Sequence, residues 1–144
     1  MKIYIGSDHG GYELKHYLME KFKDVEFKDL GHLENDSTDD YPEIAHQVAE
    51  AVSRDKDSLG VLICGSGLGM SMAANKHQGI RAAAVNTPEL AKLARQHNNA
   101  NVLTIGGRII GRSKAAKIFK TFISTGFDGG RHQERVNNID LVKL

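Results

Sequence analysis

Short apolar runs alternate along the whole chain with segments in which apolar residues recur at helical spacing. The strands predicted in this way cover residues 3–5, 25–30, 59–64, 81–85 and 102–105. The helical segments between and after them cover residues 11–22, 42–52, 70–76, 88–97 and 115–123. Because a helix after each strand can return the chain to the same end of a sheet, this order predicts parallel strands joined by helical crossovers.

The run 59–64 is apolar nearly throughout, as a central strand covered on both faces requires. Thr87, Pro88 and Glu89 are typical of a helix start, with an N-cap, a first-turn proline and a first-turn acid. The 144 residues suit one domain. We therefore expect a single α/β domain, residues 1–144, of the Rossmann-like, doubly wound type, with five parallel strands and helices on both faces.

Charge and cysteine content exclude several classes of protein. The formal net charge is +1, whereas proteins that bind nucleic acids or membrane surfaces usually carry a strong basic excess. A single cysteine, Cys64, excludes an intramolecular disulfide framework and a zinc site built on several thiolates. We see no targeting segment and no apolar stretch long enough to span a membrane, so we expect a cytoplasmic protein.

Ligands of doubly wound sheets bind beyond the carboxyl ends of the strands. Asp8 and His9 follow the first predicted strand, residues 64–69 follow the third, and Arg108 follows the fifth after two glycines. His97 precedes the fifth strand, so we assume that its helix end or loop folds back to the same edge. These residues are the candidates for a functional site.

The segment after the third strand reads Cys64-Gly65-Ser66-Gly67-Leu68-Gly69. Alternate glycines allow backbone N–H groups to point into one concavity, and a following helix adds its positive end. Such a loop holds a phosphate or a reaction oxyanion, and a thiol beside it gains thiolate character. The alternative is a tight strand-to-helix turn in which Cys64 is a small buried apolar residue.

Three familiar phosphate loops do not match this segment. A Walker loop requires Lys and then Ser or Thr after its last glycine, but Met70-Ser71 stands here. The dinucleotide fingerprint requires the spacing G-x-G-x-x-G, and the loop has G-x-G-x-G. A cysteine phosphatase requires an arginine in the loop, and residues 66–72 contain none.

Asp8-His9 and His97-Asn98 each place a polar or titratable pair at a predicted element boundary. A carboxylate beside an imidazole can orient a hydroxyl group and move a proton. The alternatives are an Asx turn with a helix cap for Asp8, and a favourable charge on the helix dipole for His97. Asn98 can equally be a turn residue.

Arg131 and Arg135 are four residues apart, so on a helix they share one face. Two guanidinium groups on one face can clamp a phosphate dianion. The alternative is a solvated basic face. Arg108 is either a phosphate ligand or a surface residue.

The remaining histidines show no partners in the sequence, and we interpret His16, His32, His46 and His77 as surface residues. No H-x-x-x-H or H-E-x-x-H motif is present and the acidic residues are scattered. We therefore expect neither a metal site nor a cofactor.

Taken together, these motifs resemble the type B ribose-5-phosphate isomerase family and its galactose-6-phosphate isomerase relatives. The resemblance covers nearly the whole chain. It rests on the segments 5–11, 38–42, 63–69, 73–76, 81–82, 95–98, 101–103, 106–108 and 130–133. It implies metal-independent interconversion of an aldose phosphate and a ketose phosphate.

The resemblance also implies roles for the reacting groups. Cys64 would be the base that takes a proton from sugar C2 and returns it to C1. His97 would help to open the furanose ring, with Asp8 close by. The anion hole for the enediolate would be formed by the loop residues Gly65, Ser66, Gly67, Leu68 and Gly69, with Ser66 near the C1 and C2 oxygens.

For the rest of the substrate, the resemblance implies that Arg131 and Arg135 hold the phosphate, that His9 lies near the substrate, and that Asn98 hydrogen-bonds to it. Arg108 would reach the phosphate in the neighbouring subunit's site. A homodimer, or a pair of such dimers, would then be required for a complete site.

One branch of the family has glycine at the position of Cys64 and glutamate at that of Met70, so this chain resembles the cysteine branch. The galactose-6-phosphate relatives lack the run Arg131-His132-Gln133, which favours ribose 5-phosphate and ribulose 5-phosphate in the non-oxidative pentose phosphate pathway. Two alternatives stay open: an isomerase of a hexose phosphate (allose 6-phosphate or galactose 6-phosphate), and a non-catalytic module that binds a nucleotide or phosphosugar.

Overall fold

The computed structural model describes residues 1–31 and 40–141. Within these ranges five strands form one parallel sheet in the order β2-β1-β3-β5-β4. The strands are β1 (Lys2–Ser7), β2 (Glu26–Gly31), β3 (Ser58–Cys64), β4 (Ala82–Ala84) and β5 (Val102–Gly106). The helices are α1 (Tyr12–Lys21), α2 (Tyr41–Arg54), α3 (Leu68–Ala74), α4 (Pro88–Asn98), α5 (Arg112–Ser124) and α6 (Arg131–Asp140).

Helices cover both faces of the sheet, which confirms the predicted doubly wound α/β architecture. One core cluster joins the sheet to α1, α4 and α5, and a second joins it to α2 and α3. All seven residues of β3 are buried, because this central strand is covered on both faces.

The element boundaries differ from the predicted ones by a few residues. α3 spans 68–74 rather than 70–76, because Gly67 adopts a left-handed conformation (φ 82°) and starts the helix there. The predicted helix 11–22 is divided into a 3₁₀ turn, His9–Gly11, and α1. The polar stretch from His32 to Tyr41 predicts a surface loop. Residues 32–39 of this stretch lie outside the described ranges, and Tyr41 begins α2.

The edge strand β4 has only three residues, and a side chain completes its hydrogen bonding. The Asn75 amide donates to the carbonyl of Ala82 at 2.9 Å and accepts from the Ala82 N–H at 2.8 Å. An amide side chain thus covers part of an edge that would otherwise be open to another strand.

A fully buried lysine in α1 was not expected from the sequence. The Lys15 ammonium donates to Asp29 Oδ1 at 3.0 Å and also to the carbonyl of Gly31. Asp29 and Gly31 belong to β2, so this ion pair connects α1 to the carboxyl end of that strand. None of the described helices is both long and apolar enough to cross a membrane.

Candidate active site

The glycine-rich loop lies between the end of β3 and the start of α3, as predicted. The N–H of Gly67 donates to Cys64 Sγ at 3.1 Å, and the N–H of Leu68 donates to Ser66 Oγ at 3.2 Å. Cys64 retains 6% of its surface exposed, so it is buried but not sealed off. Two N–H groups of the expected anion hole, those of Gly67 and Leu68, therefore already donate to acceptors inside the loop. The acceptor of the Gly67 N–H is the sulfur of Cys64, the candidate base.

Close backbone packing explains why this segment needs glycine. A β-carbon on Gly67 would lie 3.0 Å from the carbonyl carbon of Ile105, and one on Gly106 would lie 2.7 Å from the carbonyl oxygen of Ser66. The Thr104 hydroxyl, buried in β5, donates to the carbonyl of Gly67 at 2.8 Å. The loop is thus held directly against the end of β5.

Asp8 and His9 lie at the same edge, directly after β1. The Asp8 carboxylate accepts the N–H of Gly11 at 3.1 Å and caps the 3₁₀ turn. The Asp8 N–H donates to the carbonyl of Ile63 in β3 at 3.2 Å. The helix cap considered for Asp8 is therefore present. The backbone hydrogen bond to Ile63 places Asp8 beside the residue that precedes Cys64 in β3.

Arg108 also lies at the carboxyl edge of the sheet, where its guanidinium is close to Gly65 and Gly10 of the same chain. A β-carbon on Gly65 would lie 3.4 Å from its guanidinium, and one on Gly10 would lie 3.5 Å from it. His9 and Arg108 line a cavity of about 410 Å³ together with Glu13 and Arg112. Arg108 thus lies against its own Gly65, and its contact with the phosphate of a neighbouring subunit's site stays a prediction.

His97 lies at the opposite end of the sheet, and our assumption that it folds back to the carboxyl edge is wrong. α4 runs from the carboxyl end of β4 to the amino end of β5. Just after His97, the carbonyl of Asn99 accepts from Arg81 Nε at 2.9 Å and that of Asn101 accepts from the N–H of Gly60 at 2.8 Å. Arg81 directly precedes β4, and Gly60 lies near the amino end of β3, four residues before Cys64 and therefore about 13 Å from it by strand rise.

The rings of His97 and His132 stack at this amino end, with centroids 4.3 Å apart and planes 11° apart. The N–H of Asp128 donates to the carbonyl of Gln96, which holds the α5–α6 connection beside them. The pKa of His132 is lowered from its ordinary value by partial desolvation first and then by His97 and Arg131, against an opposing effect of Asp128.

The other predicted ligands also lie at the amino end. Arg131 and Arg135 are exposed on α6, four residues apart as expected for one face. Arg81 Nη1 donates to both carboxylate oxygens of Asp140, at 2.9 and 3.1 Å, and this contact anchors α6 next to β4. One chain thus carries two separate groups of candidate residues, one at each end of its sheet.

Asn98 is exposed at the end of α4. It lines a cavity of about 460 Å³ beside Asn75, Arg81 and Ile139. It therefore lies with His97 and not with Cys64.

Tyr41 is a residue at the carboxyl edge for which we had assigned no role. A β-carbon on Gly69 would lie 2.5 Å from the Tyr41 ring, so the ring rests on the first turn of α3. Its only signal in the sequence was membership of the segment 38–42. The packing of α2 against α3 brings it to the loop, and residue spacing does not encode that contact.

His46 and His77 are not the unpartnered surface residues that we expected. His46 Nδ1 and His77 Nε2 lie 2.6 Å apart, and both residues are half-buried. His16 stacks on Tyr12 with ring centroids 4.4 Å apart, and His32 lies outside the described residues. The contact between α2 and the turn after α3 creates the His46–His77 pair, which no local motif reveals.

The sequence matches the profile of the Ribose/Galactose Isomerase family over residues 3–139. The chain belongs to this family. The ribose-5-phosphate isomerase B of Escherichia coli is 43% identical over 144 residues, which is 99% of this chain and 96% of that protein. Membership of the family confirms the resemblance seen in the sequence motifs, and the assignment to the cysteine branch stays a prediction.

Solved structures of family members share the whole fold. The ribose 5-phosphate isomerase of Thermotoga maritima superposes with a TM-score of 0.92 at 47% identity, covering 96% of this chain and 97% of that one. The ribose-5-phosphate isomerase B of Mycoplasma genitalium with bound ribulose-5-phosphate gives a TM-score of 0.92 at 46% identity, covering 96% and 93%. The sheet and its helices are therefore those of the family.

Proposed function

We infer that the chain is an aldose–ketose isomerase that interconverts ribose 5-phosphate and ribulose 5-phosphate. Family membership and the similarity to a relative with bound ribulose-5-phosphate support this function. The observation that carries it is the contact between Cys64 Sγ and the N–H of Gly67 at the carboxyl end of β3. A nucleophilic sulfur at the start of an amide-lined loop combines a base with a stabiliser of negative oxygen.

The reaction needs one base and one anion stabiliser close together. The Cys64 thiolate takes the proton from C2 of the open-chain aldose, and the electron pair forms a C1–C2 double bond. The C1 oxygen then carries the negative charge, which the N–H groups of the loop stabilise. The thiol returns the proton to C1, and the C2 hydroxyl gives its proton to the C1 oxygen, which leaves a ketone at C2 and a hydroxyl at C1.

Two copies of the chain complete each site in this proposal. Cys64, Asp8 and Arg108 lie at one end of the sheet, whereas His97 and the Arg131–Arg135 pair lie at the other. In a two-fold dimer, any contact between one surface of the first chain and another surface of the second occurs twice, with the roles of the chains exchanged. The carboxyl edge of one chain would therefore meet the amino edge of its partner in two equivalent sites.

Exposed apolar side chains support the same pairing. Large ones flank both ends of the sheet: Leu68 and Ile109 at the carboxyl edge and Ile139 at the amino edge, each more than half exposed. Burial of such side chains favours association by about 25 cal/mol for each Å² of apolar surface removed from water. The partner's Arg131 and Arg135 would then join Arg108 around the phosphate dianion.

We place this reaction in the non-oxidative pentose phosphate pathway and the protein in the cytoplasm. Cys64 must stay a free thiol to act as the base. A reducing compartment suits this requirement because oxidation of the sulfur would remove its basic form.

The test is NMR of ribulose 5-phosphate incubated with chelator-treated protein in deuterated water. We expect solvent deuterium to enter the sugar and ribose 5-phosphate to form, with both processes lost in Cys64→Ser. Binding of the sugar without exchange would instead indicate a non-catalytic module. A higher kcat/KM on allose 6-phosphate than on ribose 5-phosphate would indicate the hexose alternative.

A further inference from the structure

Three side chains of the metal-ligating types converge at the amino end of the sheet. They are His97 at the end of α4, Asp128 in the α5–α6 connection, and His132 in the first turn of α6. One ligand atom from each lies within 4.8 Å of the other two. No other such group of three occurs among residues 1–31 and 40–141.

Backbone hydrogen bonds hold the segments that carry this cluster. The N–H of Asp128 donates to the carbonyl of Gln96 at 3.0 Å, and the N–H of His132 donates to that of Gly129 at 3.0 Å. Both histidines are half-buried, whereas Asp128 is exposed. Two half-buried imidazoles and one exposed carboxylate therefore lie close together on backbone segments that hydrogen bonds hold in place.

We propose that His97, Asp128 and His132 bind a divalent transition-metal ion of the zinc, cobalt or nickel class. Imidazole nitrogen is a preferred ligand of these ions, and a carboxylate completes a three-ligand set with open positions for water. Magnesium and calcium favour sites built wholly of oxygen ligands, so we expect them to bind poorly here.

Binding requires a small rearrangement of side chains. Ligand atoms of a tetrahedral zinc ion lie about 3.4 Å apart, given bonds of about 2.1 Å. The imidazole rings are parallel, so one must rotate about its Cβ–Cγ bond before both nitrogens face one ion. The positive charge of Arg131 on the same helix lowers the affinity, and the Asp128 carboxylate offsets part of this repulsion.

The consequence for activity rests on the proposed function. In that scheme a nitrogen of His97 helps to open the furanose ring. A metal ion on His97 would occupy that nitrogen, and the ion would therefore inhibit an isomerase that itself needs no metal. Zinc would be an inhibitor that competes with ring opening.

Calorimetric titration of the chelator-treated, full-length protein with zinc chloride tests the site without reference to activity. We expect one zinc ion per chain, and an affinity at least tenfold weaker in both Asp128→Asn and His132→Asn. His46→Asn is the matched control, because it removes a histidine from the other close pair and should leave the affinity unchanged. The proposal is overturned if the wild-type protein binds no zinc, or if the Asp128 and His132 variants bind zinc as tightly as the wild type. Loss of zinc binding in His46→Asn would also overturn it.

A second readout separates this proposal from the proposed function. Asp128→Asn should keep the basal isomerase activity and lose at least tenfold in its sensitivity to zinc. Equal sensitivity of the wild type and Asp128→Asn would refute inhibition through this site. If neither protein isomerises the sugar, the proposed function fails, while the calorimetric result still decides whether the metal site exists.

Discussion

Two glycines of this chain have the same backbone conformation in different surroundings. Gly67 has a φ of 82° and Gly79 a φ of 81°, both in the left-handed region. A β-carbon on Gly67 would meet the backbone of Ile105, whereas one on Gly79 would meet nothing within 4 Å. The pair therefore separates the cost of backbone conformation from the cost of close packing.

We predict that Gly79→Ala lowers the free energy of unfolding by about 1–2 kcal/mol, the cost of the left-handed conformation alone. Gly67→Ala should lower it by about 3 kcal/mol or more, because the loop must also move away from β5. Urea denaturation of both variants measures the difference. Equal losses would show that the loop is not packed as tightly as the structure indicates.

At the scale of elements, two lysine–carboxylate pairs attach other segments to β2 in different environments. Lys15 is fully buried, and its side-chain partner Asp29 is 12% exposed. Lys2 in β1 and Glu26 are 3.7 Å apart, with side chains 39% and 68% exposed. Burial decides how much each pair matters, since water screens an exposed pair strongly.

We predict that Lys15→Met lowers the free energy of unfolding by about 3–5 kcal/mol, because it leaves the Asp29 carboxylate without its buried cation. Lys2→Met, the matched control, should change it by about 1 kcal/mol or less. Both variants are measured by urea denaturation at pH 7. A loss for Lys15→Met no larger than that of the control would contradict the structural role given to the buried pair.

The whole-molecule proposal, a site shared between two chains, can be tested by mixing inactive variants. Cys64→Ser and His97→Asn each remove one half of the proposed site. A heterodimer of the two holds one intact site, with Cys64 from one chain and His97 from the other, and one site that lacks both groups. Random pairing of an equimolar mixture should therefore restore about a quarter of the wild-type activity.

Re-pairing after mild denaturation and refolding of the mixture, followed by a ribose 5-phosphate assay, measures this recovery. Each variant refolded alone is the control and should stay inactive. A mixture no more active than its components would mean that each site is built within one chain, and the two-chain arrangement would then be abandoned.

Local signals in the sequence predicted most of the elements. The alternation of apolar runs and helical segments gave the parallel sheet, and Thr87 was expected to cap α4. Its hydroxyl accepts the N–H of Leu90 at 3.1 Å, as expected. The spacing of the glycines likewise placed the loop after β3. These features depend on residues near one another in the chain, so their patterns can be recognised without a structure.

The sequence by itself determined the sheet, the loop that begins at Cys64, and the family. Only the tertiary structure decided that His97 and Arg131 lie at the other end of the sheet from Cys64, and that Asp128 joins His97 and His132. Helix α4 returns the chain over the full length of the sheet, and α6 then packs beside its end. Such placement depends on contacts between segments far apart in the chain, which residue types and local spacing do not specify.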